Sequence, residues 1–316
     1  MRYRLFSMQI GAPARILKPA KGGTKCLSNQ LKSGNMGPNS IDLTVVEHLE
    51  YFTMRFWSLC IVLLIFATET QAHDLWLLPD TKPTVGNQLI VLARQGMDFP
   101  NSTKALSTDK FSHRIVIGPD NKRTTAQPAG KRDASGLMQI VAGKPGHYIC
   151  AVQTRTRVIT LKADKFNHYL VVDGLPHIYS LRAKEGTLDQ DGVEQYSKSP
   201  KVLLKHGEGG GDPCQVVGLP LEIVPLTDPF KLHVGDTLRV RVLFKGKPLT
   251  TAHLGWAHSN EGNEPRGTVR TDKQGEALIP LAQSGLITIR LTHMTRPKTK
   301  DYEWESFWST LTFALP

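Results

Sequence analysis

Residues 67–79 read ATETQAHDLWLLP and place a histidine directly after small residues typical of an export cleavage site. If the exported chain begins at His73, this residue offers both its α-amine and its imidazole. Their reference pKa values of about 7.7–8.0 and about 6.5 let both nitrogens give up protons to a divalent ion near neutral pH. Nitrogen ligands suit nickel, cobalt, copper and zinc. His73 is therefore a predicted metal ligand; the alternative is a frayed terminus with an idle histidine.

Further ligands must come from elsewhere in the fold. His293 in RLTHM lies at the end of a predicted strand, and His258 precedes the polar loop SNEGNEPRG. Glu305, in the segment DYEWESFW, is a candidate ligand or a carboxylate that orients a ligating histidine. His253 is five residues before His258, so the two point to opposite faces of a strand, and we expect His253 to be packed or at the surface. For His293, His258 and Glu305 a purely structural role is the alternative.

The strands that would position these residues come after a predicted signal peptide that is removed on export. Met54 to Ala72 has the organisation of a signal peptide, with Arg55 before an apolar core at Leu59–Ala67 that is too short to span a bilayer. Because a signal must lie near the amino terminus, residues 1–53 are predicted to be a non-native extension. The predicted location is the periplasm.

Period-two alternation bounded by Gly, Pro, Asn and Asp dominates the chain after residue 73 and predicts an all-β fold. Helical spacing interrupts it in residues 162–205, where two short helices are expected around Gly174 to Pro176, with partly helical structure continuing beyond them. The glycine-rich loop that starts at Gly207 predicts a domain boundary. The expected architecture is two tandem immunoglobulin-like or transthyretin-like β-sandwich domains, residues 73–206 and 207–316.

Four segments carry a family resemblance: AHDLWLLP, GLPLEIVPLTDPFKLHVGDTLRVRVLFKGKPL, TDKQGEALIPL and DYEWESFWSTLTFALP. Together they resemble an exported domain of unknown function that is described as a periplasmic component of nickel or cobalt uptake. The resemblance covers nearly all of residues 73–316. It implies a β-rich periplasmic protein that assists metal acquisition, with a membrane or outer-membrane metal transporter as its partner.

Composition and sequence motifs argue against several other classes of function. The net charge of +11 is dispersed, without a Lys/Arg run, which argues against nucleic acid as a partner. No catalytic motif is found, so no enzyme activity is expected. A non-catalytic interaction module and a copper enzyme with a histidine brace remain as alternatives. Cys150 and Cys214 follow the signal peptide, and the sequence leaves open one disulfide or two buried thiols.

Overall fold

The computed structural model describes residues 73–82, 86–259 and 267–316. The predicted extension and signal peptide lie outside the described residues. These described residues belong to one compact unit. No helix in the described part of the chain is long and apolar enough to cross a membrane.

Strands dominate the described residues, and two α-helices interrupt them. The strands of the first half are β1 (Asp74–Pro79), β2 (Gln88–Gly96), β3 (Phe111–Ile117), β4 (Arg123–Thr125), β5 (Gln127–Arg132), β6 (Ser135–Val141), β7 (Gly146–Thr154), β8 (Arg157–Leu161) and β9 (Gly192–His206). The helices are α1 (Ala163–Val172) and α2 (Pro176–Glu185). The remaining strands are β10 (Leu221–Pro225), β11 (Thr237–Phe244), β12 (Lys247–Pro248), β13 (His253–His258), β14 (Gly267–Arg270), β15 (Glu276–Pro280), β16 (Gly285–Thr295) and β17 (Trp304–Leu315). The predicted all-β fold with a small helical insertion is confirmed.

A nine-stranded sheet forms the middle layer, in the order β14-β13-β16-β17-β9-β7-β3-β4, with β8 paired to β9. β17 runs antiparallel to β16 and parallel to β9, so this single sheet takes strands from both predicted domains. Four-stranded sheets formed by β1-β2-β6-β5 and by β10-β11-β12 with β15 make the outer layers.

The two faces of the middle sheet follow from alternation along β17. Phe307, Leu311 and Phe313 point to one face and pack with residues of the sheet that contains β10 and β11. We call this the sandwich-side face. Trp304 and Trp308 point to the other, which we call the helix-side face, where they pack against α1 and α2. β1 lies on the same helix-side face, because the Thr310 hydroxyl donates a hydrogen bond of 2.8 Å to the Leu75 carbonyl.

The helical insertion is shorter than predicted. α1 and α2 meet around Gly174, as expected, and Gly174 takes a φ of 75° that a residue with a side chain rarely adopts. The expectation of partly helical structure up to residue 205 is wrong, because residues 192–206 form the long strand β9. Inward-facing polar residues, such as Lys201, interrupt the alternation of apolar and polar residues that would indicate a strand there. Pro200 disfavours a helix.

The glycine-rich loop after β9 packs closely against the turn before β7. The His147 amide donates to the Gly210 carbonyl at 2.9 Å, and a Cβ at Gly209 would fall 2.2 Å from the Pro145 carbonyl oxygen. The buried ammonium of Lys201, on β9 before the loop, lies 2.8 Å from the carboxylate of Glu222, on β10 after it. The predicted boundary therefore packs against the middle sheet, and an ion pair joins that sheet to the outer sheet that contains β10.

The two described cysteines are free thiols. Cys150 lies on β7 inside an apolar cluster, whereas Cys214 lies in the loop after β9. Burial raises the pKa of Cys150 to about 12, and burial together with Asp212 raises that of Cys214 to about 11. Of the two states that the sequence left open, the structure has unpaired thiols of low reactivity.

Candidate functional site at the start of the first strand

His73 lies half-buried at the beginning of β1, on the helix-side face of the middle sheet. Its carbonyl accepts a hydrogen bond from the Lys198 ammonium. Burial, and then the positive charge of Lys198, lower the pKa of the His73 imidazole, while Asp74 opposes the shift. The ring is therefore neutral at pH 7, which is the form that binds a metal.

Asp74 joins a cluster of charges that links β1 to the helices. One guanidinium nitrogen of Arg290 lies 3.1 Å from an Asp74 carboxylate oxygen and 3.2 Å from an Asp173 carboxylate oxygen. Asp173 immediately follows α1, so this ion pair fixes the end of the helix over β16. Burial raises the pKa of Asp173 to about 7, although Arg290 lowers it. Asp173 is thus poised to exchange a proton near neutral pH.

Lys198 is the second cation of the cluster. Its ammonium lies 4.7 Å from the centre of the Trp308 ring, and that ring stacks on Tyr169 of α1 at 5.6 Å. Burial lowers the pKa of Lys198, and burial raises that of the neighbouring Glu194 to about 7. The aromatic stack and the buried strand β9 hold the ammonium against His73, the residue before β1.

His253 lies on the helix-side face of β13, where sequence reasoning had preferred His258. A Cβ on Gly174 would fall 2.0 Å from His253 Nδ1, so the imidazole packs directly against the turn between the helices. Burial, then Arg270 and Arg290, lower the pKa of His253. Its ring is therefore neutral and belongs to the same face as His73.

His258 points to the sandwich-side face, since it shares its orientation on β13 with Leu254 and Trp256 of the sandwich-side core. The opposite orientations predicted for His253 and His258 are therefore found, but His258 is the one turned away from β1. It is almost fully buried and pairs in register with Ile287.

His293 and Glu305 also lie on the sandwich-side face. The His293 ring packs on Phe244 with ring centres 4.5 Å apart, and burial lowers its pKa to about 4, with smaller effects of His177 and Lys245. Glu305 lies 3.8 Å from the Lys245 ammonium. The β16–β17 sheet separates both residues from His73, because side chains alternate between its faces. The structure therefore does not bring the four sequence-predicted ligands into one site.

In residues 73–82, 86–259 and 267–316, no three His, Cys, Asp or Glu side chains are grouped as a metal site. Sequence reasoning missed the Asp74, Asp173, Arg290 and Lys198 cluster. Asp74 adjoins the predicted ligand His73, but its partners come from segments far apart in the chain. Only the pairing of strands brings them together.

Fold and site define a β-sheet protein with a half-buried charged cluster at its first strand. The family model of a domain of unknown function, DUF4198, matches residues 70–295. The chain therefore belongs to the DUF4198 family. No curated protein matches the chain.

One similar solved structure is native alpha-2-macroglobulin from Escherichia coli, in a crystal structure spanning domains MG0-NIE-MG1. The sequences are 7% identical, and the match covers 75% of this chain and 96% of that chain. The TM-score is 0.18, which is too low to support any functional argument.

Proposed function

We propose that the processed protein begins at His73 and binds a divalent transition metal through the α-amine and imidazole of that residue. The supporting observation is that the first three residues of such a chain are all anchored. Lys198 binds the carbonyl of His73, Arg290 pairs with the carboxylate of Asp74, and Thr310 binds the carbonyl of Leu75. A terminus held in this way does not fray, so a chelate formed on it has a fixed orientation.

His253 is our candidate for a third nitrogen ligand, in place of His293. His253 shares the helix-side face with His73, and Gly174, Asp173, Arg290 and Asp74 lie between the two histidines, so one ion bound by both would have to bring their rings together. His253 Nδ1 faces Gly174, so Nε2 is the ring nitrogen that would bind the metal. Two imidazoles and an amine form a three-nitrogen site and leave coordination positions open.

An incompletely coordinated metal suits a protein that passes its ion to another. We therefore propose a periplasmic role in nickel or cobalt uptake, with the metal as cargo and a membrane or outer-membrane transporter as recipient. Copper and zinc suit the same nitrogen ligands. A copper histidine-brace enzyme is the second candidate, because His253 supplies the second histidine that such a site requires.

The test is a metal titration with nickel, cobalt, copper and zinc on protein whose mature terminus has been verified by intact mass. A matched form carries one extra alanine before His73, which turns the amine into an amide and leaves all side chains in place. We expect this form to bind about 10 to 100-fold more weakly, on the scale seen when metal shells are disturbed. His253→Ala should weaken binding by a similar factor.

His293→Ala is the control, because it removes a histidine from the opposite face. Its metal affinity should match that of the unmodified protein. If the alanine-extended form binds all four metals as tightly as the mature form, the terminus is not a ligand and the proposal fails. A mature form that binds none of them leaves the non-catalytic interaction module as the better hypothesis.

A further inference from the structure

A cavity of about 280 Å³ opens beside the candidate site. Its walls come from the loop before β3, from β5 and from the turn between β7 and β8, and its floor includes Tyr196 and Lys198 of β9. The volume lies just below the range of about 300–1,000 Å³ typical of pockets for small organic ligands. It therefore suits a small molecule. We call it the basic cavity.

Six cationic side chains line the basic cavity, and none of its lining residues is acidic. They come from well-separated parts of the chain and are Lys104, Lys110, Lys131, Arg155, Arg157 and Lys198. Like charges repel, and a folded chain lowers that repulsion by spacing them apart or by pairing them with carboxylates. Lys198 is offset in part by Asp74, Asp173 and Glu194 behind it, whereas the other five cations have no acidic residue in the cavity lining, and a bound anion would offset their repulsion.

Most of the ammonium and guanidinium groups that line the cavity are available to a ligand. Within the described residues, none of the six lies within 4.0 Å of a carboxylate oxygen, whereas Arg290 nearby holds two. Five of them are exposed, and Lys198 alone is half-buried. Arginine presents paired N–H donors that match a carboxylate or a phosphate, and lysine adds charge. Tyr196 in the floor and Thr154 in one wall add hydroxyl groups, whereas the Ser107 hydroxyl in another wall donates to Asp109.

We infer that the basic cavity binds a small oxyanion with several negative charges, of the polycarboxylate or phosphate type. Multiple charges are required because the cations are spread over several walls, so a ligand with one charged group could reach only some of them. The inference concerns the metal-free protein and does not depend on a metal at His73.

Lys198 and Leu75 connect the basic cavity to the candidate metal site. Lys198 lines the cavity and donates its hydrogen bond to the His73 carbonyl, and Leu75 is two residues further along β1. If the proposed function holds, a polycarboxylate in the cavity lies beside the metal and can fill its open positions. The cargo would then be a metal chelate with an anionic organic ligand.

The experiment is calorimetric titration of citrate, inorganic phosphate and acetate into processed, metal-free protein at low ionic strength. We expect citrate or phosphate to bind, with affinity falling as salt is added because the contacts are electrostatic. Binding of citrate alone identifies a polycarboxylate site, and binding of phosphate alone identifies a phosphate site. Acetate should bind at least tenfold more weakly than the better multivalent anion.

The cavity variant Lys110→Gln/Arg157→Gln has a matched control, Lys122→Gln/Lys247→Gln, which removes the same charge from exposed sites elsewhere. We expect the cavity variant to lose about tenfold or more in affinity, since each charged hydrogen bond that is lost weakens binding. The control should stay within about twofold of the unmodified protein. Equal affinities of the two variants, tight acetate binding, or no binding of citrate and phosphate would each overturn the inference. Failure of metal binding alone would not.

Discussion

The polar residues on the two faces of the β16–β17 pair lie in different surroundings. On the helix-side face, Arg290 holds two carboxylates within 3.2 Å and lies beneath the start of β1. On the sandwich-side face, His293 packs against Phe244, and the nearby Glu305 is only 3.8 Å from the exposed ammonium of Lys245. Along β16 and β17, the helix-side face therefore carries charge that is shielded from solvent, and the sandwich-side face packs a histidine against aromatic residues. A buried ion pair on the sandwich-side face joins Lys201 of the neighbouring strand β9 to Glu222. The layer that covers each face decides the chemistry available to it.

Among substitutions that test this difference between the faces, Arg290→Met should have the largest effect on the free energy of unfolding. The change leaves Asp74 and Asp173 without their shared cation in a largely buried setting. Removing one partner of a buried ion pair costs about 3–5 kcal/mol, so we expect a loss of unfolding free energy of that order. Urea unfolding followed by tryptophan fluorescence measures it.

Replacing the carboxylates in the same background tests the cause of that loss. Arg290→Met combined with Asp74→Asn and Asp173→Asn should recover a substantial part of the stability, because no unpaired buried charge remains. A triple variant as unstable as Arg290→Met would show that packing, and not charge, explains the effect.

The second prediction compares the pH dependence of stability that one side chain from each face contributes. The folded pKa of His293 is about 4, below its ordinary 6.5, so between these values the unfolded chain binds the extra proton and stability rises with pH. The folded pKa of Asp173 is about 7, above its ordinary value of about 4, so the folded chain keeps the proton and stability falls as pH rises through that window. The two side chains therefore contribute slopes of opposite sign.

Each slope reaches at most about 1.4 kcal/mol per pH unit for one proton. Asp173→Asn should make stability rise more steeply between about pH 4 and 6.5, whereas His293→Leu should flatten or reverse the rise. Urea midpoints measured across this range give the two slopes. Parallel curves for the variants and the unmodified protein would contradict the assignment.

The smallest expected effect is that of Lys245→Gln. Its contact with Glu305 is long and solvent-exposed, and such pairs contribute about 0–1 kcal/mol. The ammonium also lies 4.9 Å and 5.0 Å from the centres of the Phe244 and Phe307 rings, and such exposed contacts add about 0.5–1 kcal/mol, so we expect a change of about 1 kcal/mol or less in the same unfolding assay. A loss comparable to that of Arg290→Met would show that the Lys245–Glu305 contact stabilises the fold as much as the helix-side ion pairs do.

Local sequence pattern predicted the strands, the two helices and the opposed orientations of His253 and His258. It did not predict β9, because Glu194 and Lys201 occupy buried positions and disguise the alternation. It also grouped His293 with His73, whereas the structure has His293 on the opposite face of the middle sheet. Alternation fixes the relative orientation of residues within one strand, but the face on which β1 packs depends on contacts such as that between Thr310 and Leu75, which are 235 positions apart.

The position of β17 between β9 and β16 has a consequence for how the protein is made. Both neighbours are synthesised before residues 304–315, so each has an edge of unpaired backbone groups until β17 is inserted between them. Open strand edges invite pairing with other chains, and contacts distant in sequence form slowly. The charged cluster under β1 draws Lys198 from β9 and Arg290 from β16, so it is completed only when β17 joins these strands, and a chain interrupted before Trp304 exposes two aggregation-prone edges in the middle of its largest sheet.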